Sequence, residues 1–223
     1  MEVELRRYGA DHPDVVVVRS RRTAHTLIGR FGLFLGCLLA GAQSTQAGEF
    51  WKPFIAGAAS GFAIHEGSHL LLDLTFDTKP RLTGVHFGPI PFFALTHSNN
   101  TPPDDEALIS GAGFFSQHVT SEVIMTLRKP GAEVSAFDKG LLAFHLATSL
   151  GYAGAAFFRY GPEERDTRGI AASTNTDERL VGALVLAPAV FDTWRYLRPQ
   201  SKAVRIASRV SKAAFLGVVV FKR

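Results

Sequence analysis

His65-Glu66-Gly67-Ser68-His69 sets two imidazoles four residues apart, with a carboxylate beside the first. On a helix, side chains four apart leave from one face, one turn above the other. Such a pair can share one divalent cation. Glu66 is then turned toward a water on that cation, where it can serve as a general base. With 8 His in the chain, chance would produce His-Glu-x-x-His in roughly one such sequence in a hundred. A zinc site held by His65 and His69, with Glu66 catalytic, is therefore the first expectation.

The element carrying the motif is predicted to be an apolar helix, Phe54 to Leu74. Gly57, Gly61 and Gly67 let neighbouring helices approach closely, as small residues do in lipid. Before Asp73 its only ionisable residues are His65, Glu66 and His69. At membrane depth such groups are costly and are kept with a partner or a task.

Bulk composition agrees with a membrane setting. Hydrophobic residues make up 46% of the chain, which suits a few spans joined by polar loops. The net charge of +4 raises nucleic acid as a partner. The basic residues argue otherwise: Arg6-Arg7, Arg19 to Arg22, Arg128-Lys129 and Arg195 to Lys212 border apolar runs, as membrane-flanking cations do. No nucleic-acid partner is expected. Cys37 stands alone, which excludes an internal disulfide and a cysteine zinc cluster. Cations occur in nearly every connection, so their order along the chain does not set a membrane orientation.

Residues 1–48 read as an N-terminal extension. Arg19, Arg21 and Arg22 precede an apolar run from Phe31 to Ala42, which fits either a secretory signal cleaved after Ala47 or a retained helix from Ala24 to Ala42. Residues 49–200 form the main body. After the motif helix, Lys79 to His97 changes period, and Gly84, Gly88, Pro89 and Pro91 indicate a short β-hairpin. Asp104-Asp105-Glu106 suits a helix N-terminus, leading into Ala107 to Leu127. Leu141 to Phe158 and Leu180 to Leu197 are further apolar helices, separated by a polar loop from Gly161 to Asp177. In residues 201–223, Lys202, Arg205, Arg209 and Lys212 form a basic stripe on an amphipathic helix that lies on the membrane or packs half-buried. The expected fold class is mainly α: a polytopic membrane bundle of about four to six helices with a hairpin after the motif helix.

In this order of features the chain resembles the site-2 protease family of intramembrane zinc metalloproteases. The likeness covers roughly residues 50–170 and rests chiefly on the HEGSH helix. Two weaker matches follow it: the Gly-Pro-containing segment Val85 to Ala94, and Ala112-Gly113-Phe114-Phe115-Ser116-Gln117 in the frame of the family's Ala-Gly-x-x-x-Asn. The resemblance implies an integral protein of a bacterial-type inner membrane, a membrane protein or peptide as substrate, and a bound zinc ion. It also implies that Gln117 helps polarise the substrate carbonyl. For a membrane peptidase, the strand segment Arg81 to Phe93 could receive an unwound substrate by strand addition.

The family's Leu-Asp-Gly motif, source of its third zinc ligand, is missing here. Asp166 is the substitute that the family's order favours, since it follows the Leu141 to Phe158 helix. An ordinary pairing with Arg165 or Arg168 competes with that role. His118, Glu122, Asp138 and Asp192 are rival ligands. Other readings stay open: a non-catalytic membrane protein that keeps a structural metal, and a secreted zincin released after Ala47. His12, His25 and His97 are expected to be solvated and His145 packed, while His86 is a candidate for a substrate groove. Oligomeric state is not legible.

Overall fold

The computed structural model describes residues 47–87, 90–98, 100–128 and 132–221. The signal or first helix expected between residues 24 and 46 lies outside the described residues.

Helix α1 spans Ala47–Thr75 and carries the motif. Strands β1 (Arg81–Phe87) and β2 (Ile90–Thr96) follow as an antiparallel pair, with Arg81 opposite Thr96 and Phe87 opposite Ile90. Then come α2 (Pro103–Leu127), α3 (Ala136–Phe158), α4 (Asp166–Ser173), α5 (Glu178–Leu197) and α6 (Lys202–Phe221). The chain is thus mainly helical with one small sheet. Two helices, α3 and α5, are long and apolar enough to cross a membrane.

Local chemistry sets the helix ends. Pro103 and three carboxylates, Asp104, Asp105 and Glu106, open α2, where the proline loses no intrahelical bond and the charges meet the positive dipole end. Ser135 caps α3 by accepting from the Asp138 amide at 3.0 Å. At its other end Arg159 closes α3 in the left-handed conformation, φ 50°. Asp177 caps α5 through the Arg179 amide at 2.8 Å.

Glycines decide the closest crossing. A Cβ on Gly57 would lie 1.9 Å from the Phe137 carbonyl oxygen, and one on Gly140 would lie 2.0 Å from that of Phe54. The backbones of α1 and α3 therefore touch. Gly61 meets Phe144 higher up, so the two helices run parallel. Helix α2 is antiparallel to α1, since Ile109 meets His69 and Gly113 meets both motif histidines. Helix α5 runs back along α3, with Gly182 against Ala153 and Ala156. Helix α6 returns beside α2, pairing Val219 with Gly111 and Lys212 with Glu122.

The apolar core lies between α2, α4, α5 and α6, formed by Phe114, Ile170, Ala171, Val181, Val185, Phe215 and Val219. Its burial fastens the short α4, which the sequence suggests only as polar loop. The tail helix packs into the bundle through Val204, Ser208, Lys212, Phe215 and Val219. Its basic stripe is split accordingly. Lys212 is buried, 3.0 Å from Asp192 and 3.1 Å from Glu122, while Arg209 and Arg195 also converge on Glu122. Burying these charges is sustained by their mutual pairing.

Candidate metal centre

His65 and His69 leave the same face of α1, their rings 4.9 Å apart between centroids. Both Nε2 atoms point at one oxygen of Asp166, Oδ2, at 3.3 Å from His65 and 3.4 Å from His69. One ligand atom from each of the three residues lies within 4.8 Å of the others, so the group could hold a metal ion. His65 and His69 are 1% and 6% exposed, so both rings are largely withdrawn from bulk solvent.

Asp166 reaches this point because it opens α4, whose Ile170 and Ala171 are anchored in the core. The competing pairings expected for it are taken up elsewhere. Arg165 makes a two-pronged bond to Glu178, at 2.6 and 2.8 Å, and Arg168 bonds Glu163 at 3.0 Å. Burial raises the cost of charge on Asp166, yet the His69 and His65 imidazoles hold its carboxyl below the usual range.

The donor set fits a metal on independent grounds. The Nδ1 of His69 lies 2.7 Å from the Ile109 carbonyl, which can only accept, so Nδ1 carries the hydrogen. That bond turns Nε2 inward, the arrangement in which a metal-ligating histidine is usually held. Nε2 of His69 is buried without a hydrogen-bond partner. Two imidazole nitrogens and one carboxylate oxygen match the donors of a catalytic zinc, which keeps a fourth position open.

Gly113 is part of the same construction. A Cβ there would lie 2.4 Å from His65 Cε1 and 2.5 Å from the Nε2 atoms of both histidines. The helix opposite the ligands can approach only because this position lacks a side chain. Gly113→Ala is expected to lower metal affinity roughly 10- to 100-fold, the scale seen when groups supporting a metal's ligands are disturbed. Metal content after dialysis, alongside an unchanged helical circular-dichroism spectrum, measures this.

The centre opens into a cavity of about 1180 Å³. Its wall includes Glu66, Tyr152 and Glu106 from the helices, with Arg81, Thr83 and Val85 from β1. His65, Glu66, His69 and Asp166 are thus brought together. Gln117 is not. It lies one turn beyond Gly113, buried with both amide atoms unpartnered, beside a separate small void lined by Ile64 and His145. His86 is exposed on β1, away from the cavity wall.

The rival ligands have other attachments. Glu122 binds Arg195, Arg209 and Lys212, Asp192 accepts from Ser208 at 2.6 Å, and Asp138 bonds Ser135 at the start of α3. His118 faces His145, ring centroids 5.4 Å apart, and packs on Phe215.

His97 differs from expectation. Instead of being solvated, it bridges Asp73 on α1, 3.2 Å from Nδ1, and Glu106 on α2 through Nε2. This ties the end of β2 to two helices. The bond to Glu106, supported by the Asp73 charge, raises the pKa of His97 above its ordinary 6.5. Burial works to raise the pKa of Glu106, but the bonds from His97 and Ser110 together with the His97 charge lower it. A raised histidine stabilises fully below its unfolded pKa and stops doing so as pH climbs through the folded value. Amide exchange in residues 81–96 is therefore expected to accelerate as pH rises through the raised His97 pKa, after correction for intrinsic exchange. In His97→Gln that pH step disappears.

No protein-family model matches the chain, and no curated protein or solved structure matches it either.

Proposed function

We propose that this protein is a membrane-embedded zinc metallopeptidase acting on membrane-associated proteins or peptides. The observation that carries the reading is the convergence of His65, His69 and Asp166 on one point, with Glu66 on the same cavity wall. The resemblance of HEGSH and its following hairpin to site-2 proteases supports it. So do the two long apolar helices.

His65, His69 and Asp166 would hold the ion. When bound, zinc supplies a lowered pKa to water and polarises the scissile carbonyl. Glu66 accepts a proton from the attacking water and delivers it to the departing amine nitrogen. Ile109 keeps the His69 ring in the ligating tautomer, and Gly113 leaves room for both rings. Strand β1 pairs only with β2 among the described residues, and its outer edge can receive an extended substrate segment by strand addition. That mode requires a substrate helix to unwind locally before its carbonyl is exposed.

The test is metal stoichiometry joined to cleavage. Detergent-purified protein is expected to retain one zinc per chain and to cleave a membrane-peptide library, with loss on chelation and recovery on zinc addition. Stoichiometric zinc without cleavage would identify a non-catalytic metal protein. Protein that never retains zinc overturns the reading.

A further inference from the structure

Asp, Glu, Lys and Arg are absent from residues 53–65, 107–121, 140–158, 180–191 and 213–221. These stretches fall on α1, α2, α3, α5 and α6. The crossings at Gly61, Gly113, Gly182 and Gly111 pack them side by side but staggered, so that Asp192, just past the α5 stretch, lies 4.0 Å from His145 inside that of α3. At about 1.5 Å per helical residue, these stretches run from about 13 Å on α6 to about 28 Å on α3, and together they form the uncharged belt of the bundle. Its surface is apolar: Ile55 is 62% exposed, Val119 46% and Val190 46%. Large apolar side chains exposed on several helices mark a surface that is covered by something apolar. Trp51 and Trp194 stand exposed at one rim, where aromatic residues meet a bilayer interface.

The belt separates opposite charges. At the metal-centre end, residues 66–106 and 159–179 contain eleven Asp or Glu against six Lys or Arg. At the other end, residues 47–52, 122–139 and 192–212 contain, among the described residues, nine basic side chains against five acidic. In the linear sequence these cations are scattered through successive connections. Alternating helix directions deliver them to one face. Arg159, Arg165 and Arg168 at the acidic end are each paired with a carboxylate; at the opposite end Arg195, Arg209 and Lys212 converge on Glu122, and Lys52, Arg198 and Lys202 are exposed.

We infer that the basic end rests on the anionic phospholipid headgroups of the cytoplasmic leaflet, and that the metal centre opens on the opposite side of the membrane. Anionic lipid attracts surface lysine and arginine, and cations near span ends set orientation. This rests on the membrane-embedded half of the proposed function and not on its zinc chemistry.

Single cysteines report the arrangement. In a Cys37→Ala background, Ala172→Cys marks the acidic end and Gln200→Cys the basic end; both positions are exposed. In bacterial spheroplasts, a membrane-impermeant maleimide is expected to label Ala172→Cys directly and Gln200→Cys only after permeabilisation. Replacing Arg198, Lys202 and Arg205 with glutamine should abolish that protection in part of the population, giving mixed orientations. Reversed labelling, labelling of both positions in sealed cells, or protection of both overturns the inference. Unaltered protection in the triple variant overturns its electrostatic basis. None of these readouts involves zinc or cleavage, so failure here leaves the metal test standing, and failure there leaves this one.

Discussion

Glu66→Gln is expected to lower peptide cleavage by roughly 10²- to 10⁴-fold, the usual worth of a positioned general acid–base. Zinc content should be unchanged, because Glu66 is not among the three converging donors. Glutamine preserves the size of the side chain and its hydrogen-bonding reach while removing the basic oxygen. The fall should appear in kcat more than in KM, since the proton is moved in the transition state and not on binding. Steady-state kinetics on a cleaved membrane peptide, with metal analysis on the same preparation, checks both parts. Undiminished turnover in a zinc-loaded variant would remove Glu66 from the mechanism.

Asp166→Ala should have its largest effect one step earlier, on retention of the ion. Zinc sites bind with about 10–16 kcal/mol shared over four ligands, so losing one costs about 3 kcal/mol, on the order of a hundredfold in affinity. Asp166→Asn separates charge from volume and should also lose metal, since a neutral amide is the poorer ligand. Asp192→Asn is the control. Its carboxylate is engaged by Lys212 and Ser208, so zinc retention should stay at the wild-type level even where thermal stability falls. An equal zinc load in all three variants would move the third ligand away from Asp166.

The parts of this arrangement legible in the chain are those governed by neighbours in sequence. His65 and His69 share a face because of helical spacing, and the hairpin follows from alternation broken by Gly88 and Pro89. Asp166 is different. Nothing local distinguishes it from a loop aspartate between two arginines, and only the order of features in a resembling family singles it out. Its freedom to meet the imidazoles depends on Glu178 and Glu163 occupying Arg165 and Arg168. The same holds for Gly113, whose task is defined by rings on another helix. His97 reads as solvated because Asp73 lies far back in the chain and approaches only when the hairpin folds over α1. Likewise the spacing of Lys202, Arg205, Arg209 and Lys212 reveals a helical face, but the burial of Lys212 is set by Glu122 and Asp192.

The backbone contact of Gly57 and Gly140 bears on how a substrate gets in. With carbonyl oxygens standing where any methyl group would go, α1 and α3 cannot slide or part in their lower half without losing that fit. They form a stiff spine behind the histidines. In the proposed peptidase, an opening that admits a polypeptide would fall on the opposite wall, where a two-stranded ribbon is pinned by His97 and the connection before α4 by Arg165. On that proposal the hairpin side would be the doorway, with His97 and Arg165 as its latches.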